Sequence, residues 1–188
     1  MIHYFCGHSG CGKNFLASQI MENVPIEIID TGVIIRNAYK KYNTNNISFK
    51  EWMRENEEKY GEDFSNMLIS KLTTVEKGRD YIVVGYRSIE GIEYFNKYFG
   101  VRNYGIYFID GDYELFRENY NTREKTDISK EEYEKIVEIE DSMGIKKLKD
   151  FVLNNQDKGK YYFKKQNDDI IYQDVLKNIK SKILEEER

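Results

Sequence analysis

The chain has 188 residues, 40% of them apolar, and a formal net charge of −4. That length suits one ordinary α/β domain, the apolar share allows a sizeable core so that disorder is not the default, and the acidic balance argues against nucleic acid as a general partner. Two cysteines, Cys6 and Cys11, are too few for a disulfide framework, no apolar run reaches the ~18–20 residues that cross a bilayer, and Met1 to Cys6 lacks the layout of a signal peptide, so a reducing, cytoplasmic setting without membrane insertion is expected.

Ile2 to Cys6 reads as a buried strand, broken by Gly7 to Gly12, after which Phe15, Leu16, Ile20 and Met21 recur at helical spacing. Pro25 separates that helix from a second apolar run, Ile26 to Ile29, closed by Asp30. A helix through Tyr39 is expected next, with Ile34, Ile35 and Ala38 towards the core. Ser48 and Glu51 have the spacing of a capping box and open a helix carrying Phe49, Trp52 and Met53, with Trp52 read as core. Gly61 interrupts, and Phe64, Met67, Leu68 and Leu72 suggest a further helix.

Tyr81 to Val84 is a short continuous apolar strand ending at Gly85, followed by a helix with Ile89, Ile92 and Phe95. Tyr104 to Ile109 is the next strand and Glu114 to Tyr120 the next helix. Asn121 to Ser129 is polar and without periodicity, so it reads as a mobile loop. Ser129 and Glu132 form a second capping box, opening a helix towards Met143. Tyr161 to Phe163 reads as a last strand, Gln166 to Asp169 as a polar turn, and Val175 to Leu184 as an amphipathic helix. Strands alternating with helices imply one domain over 1–188: a three-layer α/β fold with a mainly parallel five-stranded sheet and helices on both faces.

The strongest chemical signal is Gly7-His8-Ser9-Gly10-Cys11-Gly12-Lys13 between a strand and a helix, which matches the Walker A spacing through its lysine. Glycines let the backbone turn tightly and aim successive N–H groups at one anion, and the helix N-terminus after them adds partial positive charge. Lys13 is placed to reach outer phosphates as a mobile point charge. The residue after the lysine is Asn14, where the pattern has a Ser or Thr hydroxyl for Mg²⁺. The asparagine carbonyl is an acceptable ligand for a hard cation, and facing water is the equal alternative. His8 and Cys11 occupy the loop by position and are given no catalytic role.

Together, the glycine loop, the segment Ile29-Asp30-Thr31-Gly32-Val33-Ile34-Ile35-Arg36 and the segment Val84-Gly85-Tyr86-Arg87-Ser88 resemble the nucleoside monophosphate kinases of the P-loop superfamily. The adenylate kinase and dephospho-coenzyme A kinase branches, with the small archaeal and phage-type kinases, are the nearest in pattern. The likeness runs from Met1 to about Ile171. It implies a P-loop kinase fold with a helical acceptor-side region at about 31–76 and a lid at about 117–143. It also implies an ATP-dependent transfer to a nucleotide or nucleotide-like phosphorylated acceptor, with Mg²⁺.

Carried over residue by residue, the resemblance assigns the ATP phosphates to Gly7, Ser9, Gly10, Cys11, Gly12, Lys13 and Asn14. Thr31, Gly32 and Arg36 stand where such kinases hold the acceptor, with Val33 in place of the usual aspartate. Asp30, at the carboxyl end of a parallel strand, is the candidate base or magnesium organiser, and capping the next helix is its plain alternative. Arg87 is a fork for an acceptor phosphate, while Val84 replaces an aspartate frequent before that glycine. Arg123 is the lid arginine of choice; Arg117 pairs as readily with Glu114. Asn167, in the loop that holds adenine in relatives, offers a donor and an acceptor to a base edge. Two further classes stay open: a nucleotide-binding regulatory ATPase with weakened transfer, and a kinase of nucleic-acid ends or modified bases. The acceptor's base and sugar and the oligomeric state are not readable from these residues.

Overall fold

Five short runs rich in isoleucine, valine and aromatics build one sheet in the computed structural model, which describes residues 1–164 and 168–186. The strands are β1 (Ile2–Cys6), β2 (Glu27–Asp30), β3 (Tyr81–Val84), β4 (Tyr104–Asp110) and β5 (Lys160–Lys164). All neighbours pair parallel in the order β2-β3-β1-β4-β5. Parallel strands need crossover helices on both faces, and that is why β1, β3 and most of β4 read as unbroken apolar runs rather than alternating ones.

Between the strands lie α1 (Lys13–Met21), α2 (Thr31–Tyr42), α3 (Phe49–Tyr60), α4 (Phe64–Leu72), α5 (Ile89–Phe99), α6 (Tyr113–Glu124), α7 (Lys130–Ser142), α8 (Ile145–Leu153) and α9 (Asp168–Glu186). Side chains alternate across β1. Phe5 enters one core with Leu16, Ile20, Tyr107, Phe116 and Val175, under α1, α6 and α9. Tyr4 and Cys6 enter the other with Ile92, Phe95, Phe108 and Leu148, under α5 and α8. A third, smaller cluster of Ala38, Trp52 and Phe64 holds α2, α3 and α4 together, with Trp52 buried in it as core. Among the described residues no helix is long and apolar enough to cross a membrane.

Three expectations need correction. Asn121 to Glu124 is helix, the last turn of α6, not part of a loop. The connection from α6 to α7 is short and held: Asn121 Oδ1 accepts the Ile128 N–H at 3.1 Å, and Arg117 Nη1 donates to the Ile128 carbonyl at 3.0 Å. These side-chain bonds replace the periodicity that the polar stretch lacks. Helix α8 has no counterpart among the expected elements. Finally, Asp168 and Asp169 begin α9 rather than ending a turn.

The order of the strands fixes where a ligand crevice forms. From β1 the chain moves to one side of the sheet through β2 and β3, then crosses β1 to lay down β4 and β5. The carboxyl ends of β1 and β4 therefore diverge into opposite connections. Open α/β sheets bind ligands at such a point. The Gly7–Gly12 segment leaves β1 there.

Candidate functional site

Gly10 and Gly12 show why this segment is glycine-rich. Both have positive φ, 86° and 90°, in the left-handed region that side chains avoid. A β-carbon at Gly10 would also overlap the Phe116 carbonyl oxygen of α6, a backbone atom that has no room to yield. The turn presses the loop against α6 and leaves the N–H groups of Gly10, Gly12, Lys13 and Asn14 without an acceptor among the described residues. Orphan donors at the start of a helix, together with the dipole of α1, make an anion-binding concavity. Lys13 arches over it, donating to the Gly7 and His8 carbonyls at 3.1 and 3.2 Å. Among the described residues its hydrogen bonds to oxygen go to neutral carbonyls and it forms no direct ion pair, which leaves the ammonium available to an anion.

The opposite rim of the loop is engaged at Ser9, Gly10 and His8 Nε2, and by residues that no local pattern in the sequence marks. Glu140 of α7 accepts the Ser9 N–H at 2.8 Å on Oε2 and the Ser9 hydroxyl at 2.7 Å on Oε1. The same Oε1 receives Nε and Nη2 of Arg87 at 3.2 and 3.1 Å. Burial pushes the Glu140 carboxyl upward, but Arg87, the Ser9 donors and Lys13 outweigh it and hold the group below its ordinary value. Tyr133 donates its hydroxyl to the Ser9 carbonyl at 2.5 Å, Asn119 donates to the Gly10 carbonyl at 3.0 Å, and His8 Nε2 lies 3.0 Å from Asp141 Oδ1. Helices α6 and α7 thus brace the loop from outside.

The second group of expected residues gathers on the β2 side. Asp30 ends β2 and caps α2, accepting the Val33 N–H at 3.0 Å on Oδ1. Its Oδ2 takes the Asn14 side-chain amide at 2.6 Å. Capping and proximity to the loop therefore hold together, and the structure joins the two residues named for magnesium. Thr31 is buried, its Oγ1 pressed against Gly85 so closely that no β-carbon fits there. Arg36 is exposed, without an ion pair or hydrogen bond among the described residues, and its guanidinium lies against Gly32. Val84 stands in register beside Asp30. Among the described residues no cluster of three or more His, Cys, Asp or Glu side chains gathers around a metal position.

Arg123 is less close to its expected role. It sits on the last turn of α6, bonded to Glu124 at 2.8 Å and resting on the Tyr120 ring. It also lies near Tyr133, whose phenol pKa is raised by burial and lowered to a smaller extent by the Arg123 charge. Arg117 pairs with Glu114, its plain alternative. Asn167 lies outside the described residues. Cys6 is buried behind the loop, its thiol pushed up to about 12 by burial, so it is no nucleophile at neutral pH.

A second polar cluster lies at the end of β4. Asp110 is buried and accepts Lys149 Nζ at 2.6 Å and the Tyr162 hydroxyl at 2.5 Å. Burial raises its pKa, yet these bonds and the Gly111 amide bring it below the usual aspartate value.

No family model matches the chain, and no curated protein does. Solved structures do. One is an uncharacterized protein from Eubacterium ventriosum ATCC 27560, 14% identical, with 96% of this chain and 99% of that one covered at a TM-score of 0.52. Another is TT1252 from Thermus thermophilus, 10% identical, with 97% of each chain covered at a TM-score of 0.62. At such identities the likeness establishes the three-layer α/β fold alone.

Proposed function

We propose that this protein is an ATP-dependent small-molecule kinase of the P-loop type, related in mechanism to nucleoside monophosphate and dephospho-coenzyme A kinases. The observation that carries the reading is the glycine loop itself. The amides of Gly10, Gly12, Lys13 and Asn14, at the head of α1, have no acceptor among the described residues, and the Lys13 ammonium lies on the Gly7 and His8 carbonyls of the same loop. That donor set suits a polyphosphate better than any neutral ligand.

In this reading Lys13 and the loop amides hold the ATP phosphates. Arg36, which has no ion pair among the described residues, receives the anionic group of a phosphorylated acceptor beside Thr31 and Gly32. Asp30 lies between the two anion positions, where it orients the acceptor nucleophile. Asn14 and Asp30 are the residues that would hold magnesium. They offer too few oxygens for a site of their own, and fit an ion that keeps its waters and phosphate oxygens while neutralising charge. Arg123 is the lid arginine of this reading, and it leaves its Glu124 pair to reach the phosphates. Phosphoryl transfer asks mainly for this positioning and charge neutralisation, behind a cover that keeps water out.

One observation favours a second reading, a regulatory ATPase. Asn14 spends its amide on Asp30, and Val84 leaves no other carboxylate beside it. A transfer screen with radiolabelled ATP separates the two, run across mononucleotides and dephospho-coenzyme A with Lys13→Ala in parallel. The kinase reading expects labelled product from one acceptor class in the wild type and at least a hundredfold less in the variant, in line with loss of a transition-state charge partner. ATP turnover that no acceptor accelerates supports the regulatory reading. Equal product from both proteins removes the assigned site.

A further inference from the structure

Glu140 is an ionised carboxylate set between the two halves of the site, and only 4% of its surface is exposed. Two roles suit such a group. It is either a built-in anion that occupies the cradle in place of a ligand, or a brace that fixes the cations around it. Three observations separate them. First, Glu140 takes the N–H of Ser9 and not those of Gly10, Gly12, Lys13 and Asn14, which have no acceptor among the described residues, so it stands on the rim and does not fill the cradle. Second, it has little freedom to leave. Helix α7 is held to the loop by Tyr133 on the Ser9 carbonyl and by Asp141 on His8. Just beyond α7, Gly144 packs so close to Arg87 and Ser88 that a β-carbon would lie 2.9 Å from the Ser88 side chain and 3.2 Å from the Arg87 carbonyl oxygen. Third, the fork on Glu140 uses Nε and Nη2 of Arg87, which leaves Nη1 without a partner among the described residues on a side chain still 46% exposed.

We infer that Glu140 is a positioning residue: it pins the Arg87 guanidinium to the Ser9 turn so that its free N–H groups and Lys13 address the same phosphate. This assigns Arg87 to the transferring phosphate at the loop rather than to the far end of the acceptor, and it rests on the phosphate-binding reading of that loop. A guanidinium held on one edge by a carboxylate presents its other edge in a fixed direction, so little rotamer freedom is lost when an anion arrives. Glu140 holds Ser9 and Arg87 at once, joining the β1–α1 loop to the segment after β3. The brace therefore sets the distance between Lys13 and Arg87.

Calorimetric titration of the full-length chain with inorganic pyrophosphate tests this. Binding by wild type that is lost in Lys13→Ala is the prior condition; without it the phosphate-binding reading falls and takes this inference with it. Given that condition, Glu140→Gln weakens pyrophosphate about tenfold when Arg87 is present, and no more than about twofold in an Arg87→Ala background, the coupling expected of groups in one network. Equal losses in both backgrounds mean a structural role only and overturn the inference. Tighter binding by Glu140→Gln overturns it in favour of an internal anion. Should Glu140→Gln fail to fold, Arg87→Lys keeps the charge but not the fork. It binds as weakly as Arg87→Ala if the brace matters, and wild-type affinity in Arg87→Lys refutes it.

Discussion

Asp30 carries two duties on one carboxylate, and the two oxygens divide them. Oδ1 satisfies the Val33 N–H at the head of α2, and Oδ2 holds Asn14 at the head of α1. Asparagine caps helices about as well as aspartate, whereas alanine does not, and losing a cap costs about 1 kcal/mol. Asp30→Asn is therefore expected to unfold within about 0.5 kcal/mol of wild type in urea, and Asp30→Ala about 1–2 kcal/mol earlier. If the negative charge orients the acceptor, both variants lose transfer to a similar degree although only one loses stability. Retained transfer in Asp30→Asn would reduce this residue to a cap. Asn14 sharpens the point, since its amide sits where the Walker A pattern has a hydroxyl, and it meets Asp30 directly.

At the scale of elements, helices α6, α7 and α8 form the part of the structure least visible in the sequence. The start of α7 is legible, because Ser129 and Glu132 close a local capping box that both side chains complete. Its function is not. The partners of Glu140 and Tyr133 lie 131 and 124 positions away in the chain, and no spacing rule links them to Ser9. Helix α8 does carry a signal. Ile145, Leu148 and Val152 recur at i, i+3 and i+7 and are all fully buried, but four charged residues among nine mask them, and the helix opens on a left-handed Gly144 with no side-chain cap. The glycine loop and Asp30 are readable because their chemistry is local: a turn that needs positive φ, then a helix start. Core burial makes α8 testable. Leu148→Ala removes a fully buried side chain from the α5–α8 face and is expected to cost about 3 kcal/mol in urea unfolding. A loss below about 1 kcal/mol would mean that α8 is not part of the cooperative core.

Across the whole molecule, the parallel sheet puts the carboxyl ends of β1, β2 and β4 on one edge, and each ends near a charged residue that is hydrogen-bonded in the fold. Strand alternation is enough to read the layers. The carboxylate at the end of β4 is not legible in the same way, because Asp110 gains meaning only from Lys149 and Tyr162, which arrive on α8 and β5. These groups also set the pH dependence of stability. Burial pushes the carboxyls of Asp110 and Glu140 upward, yet bonded cations and N–H or O–H donors outweigh it, and both titrate below their ordinary values in the fold. A depressed carboxylate pKa means that the unfolded chain binds protons first. The stabilisation is fully present above the ordinary carboxylate range and is lost as pH falls through the folded values, below about pH 4. Lys149 runs the other way. Burial pushes its ammonium down, but Asp110 and the neighbouring phenols together raise it, so its share persists below the ordinary lysine range and disappears only at strongly alkaline pH. Asp110→Asn isolates the acid limb. At pH 7 the variant leaves Lys149 without its counter-charge and is expected to be about 2–3 kcal/mol less stable in urea. As pH falls through the depressed value of the wild-type aspartate the two proteins converge, because the charge that distinguishes them is neutralised. A gap as wide at pH 3 as at pH 7 would show that Asp110 acts through packing, and that the Lys149 pair contributes nothing to the acid limb.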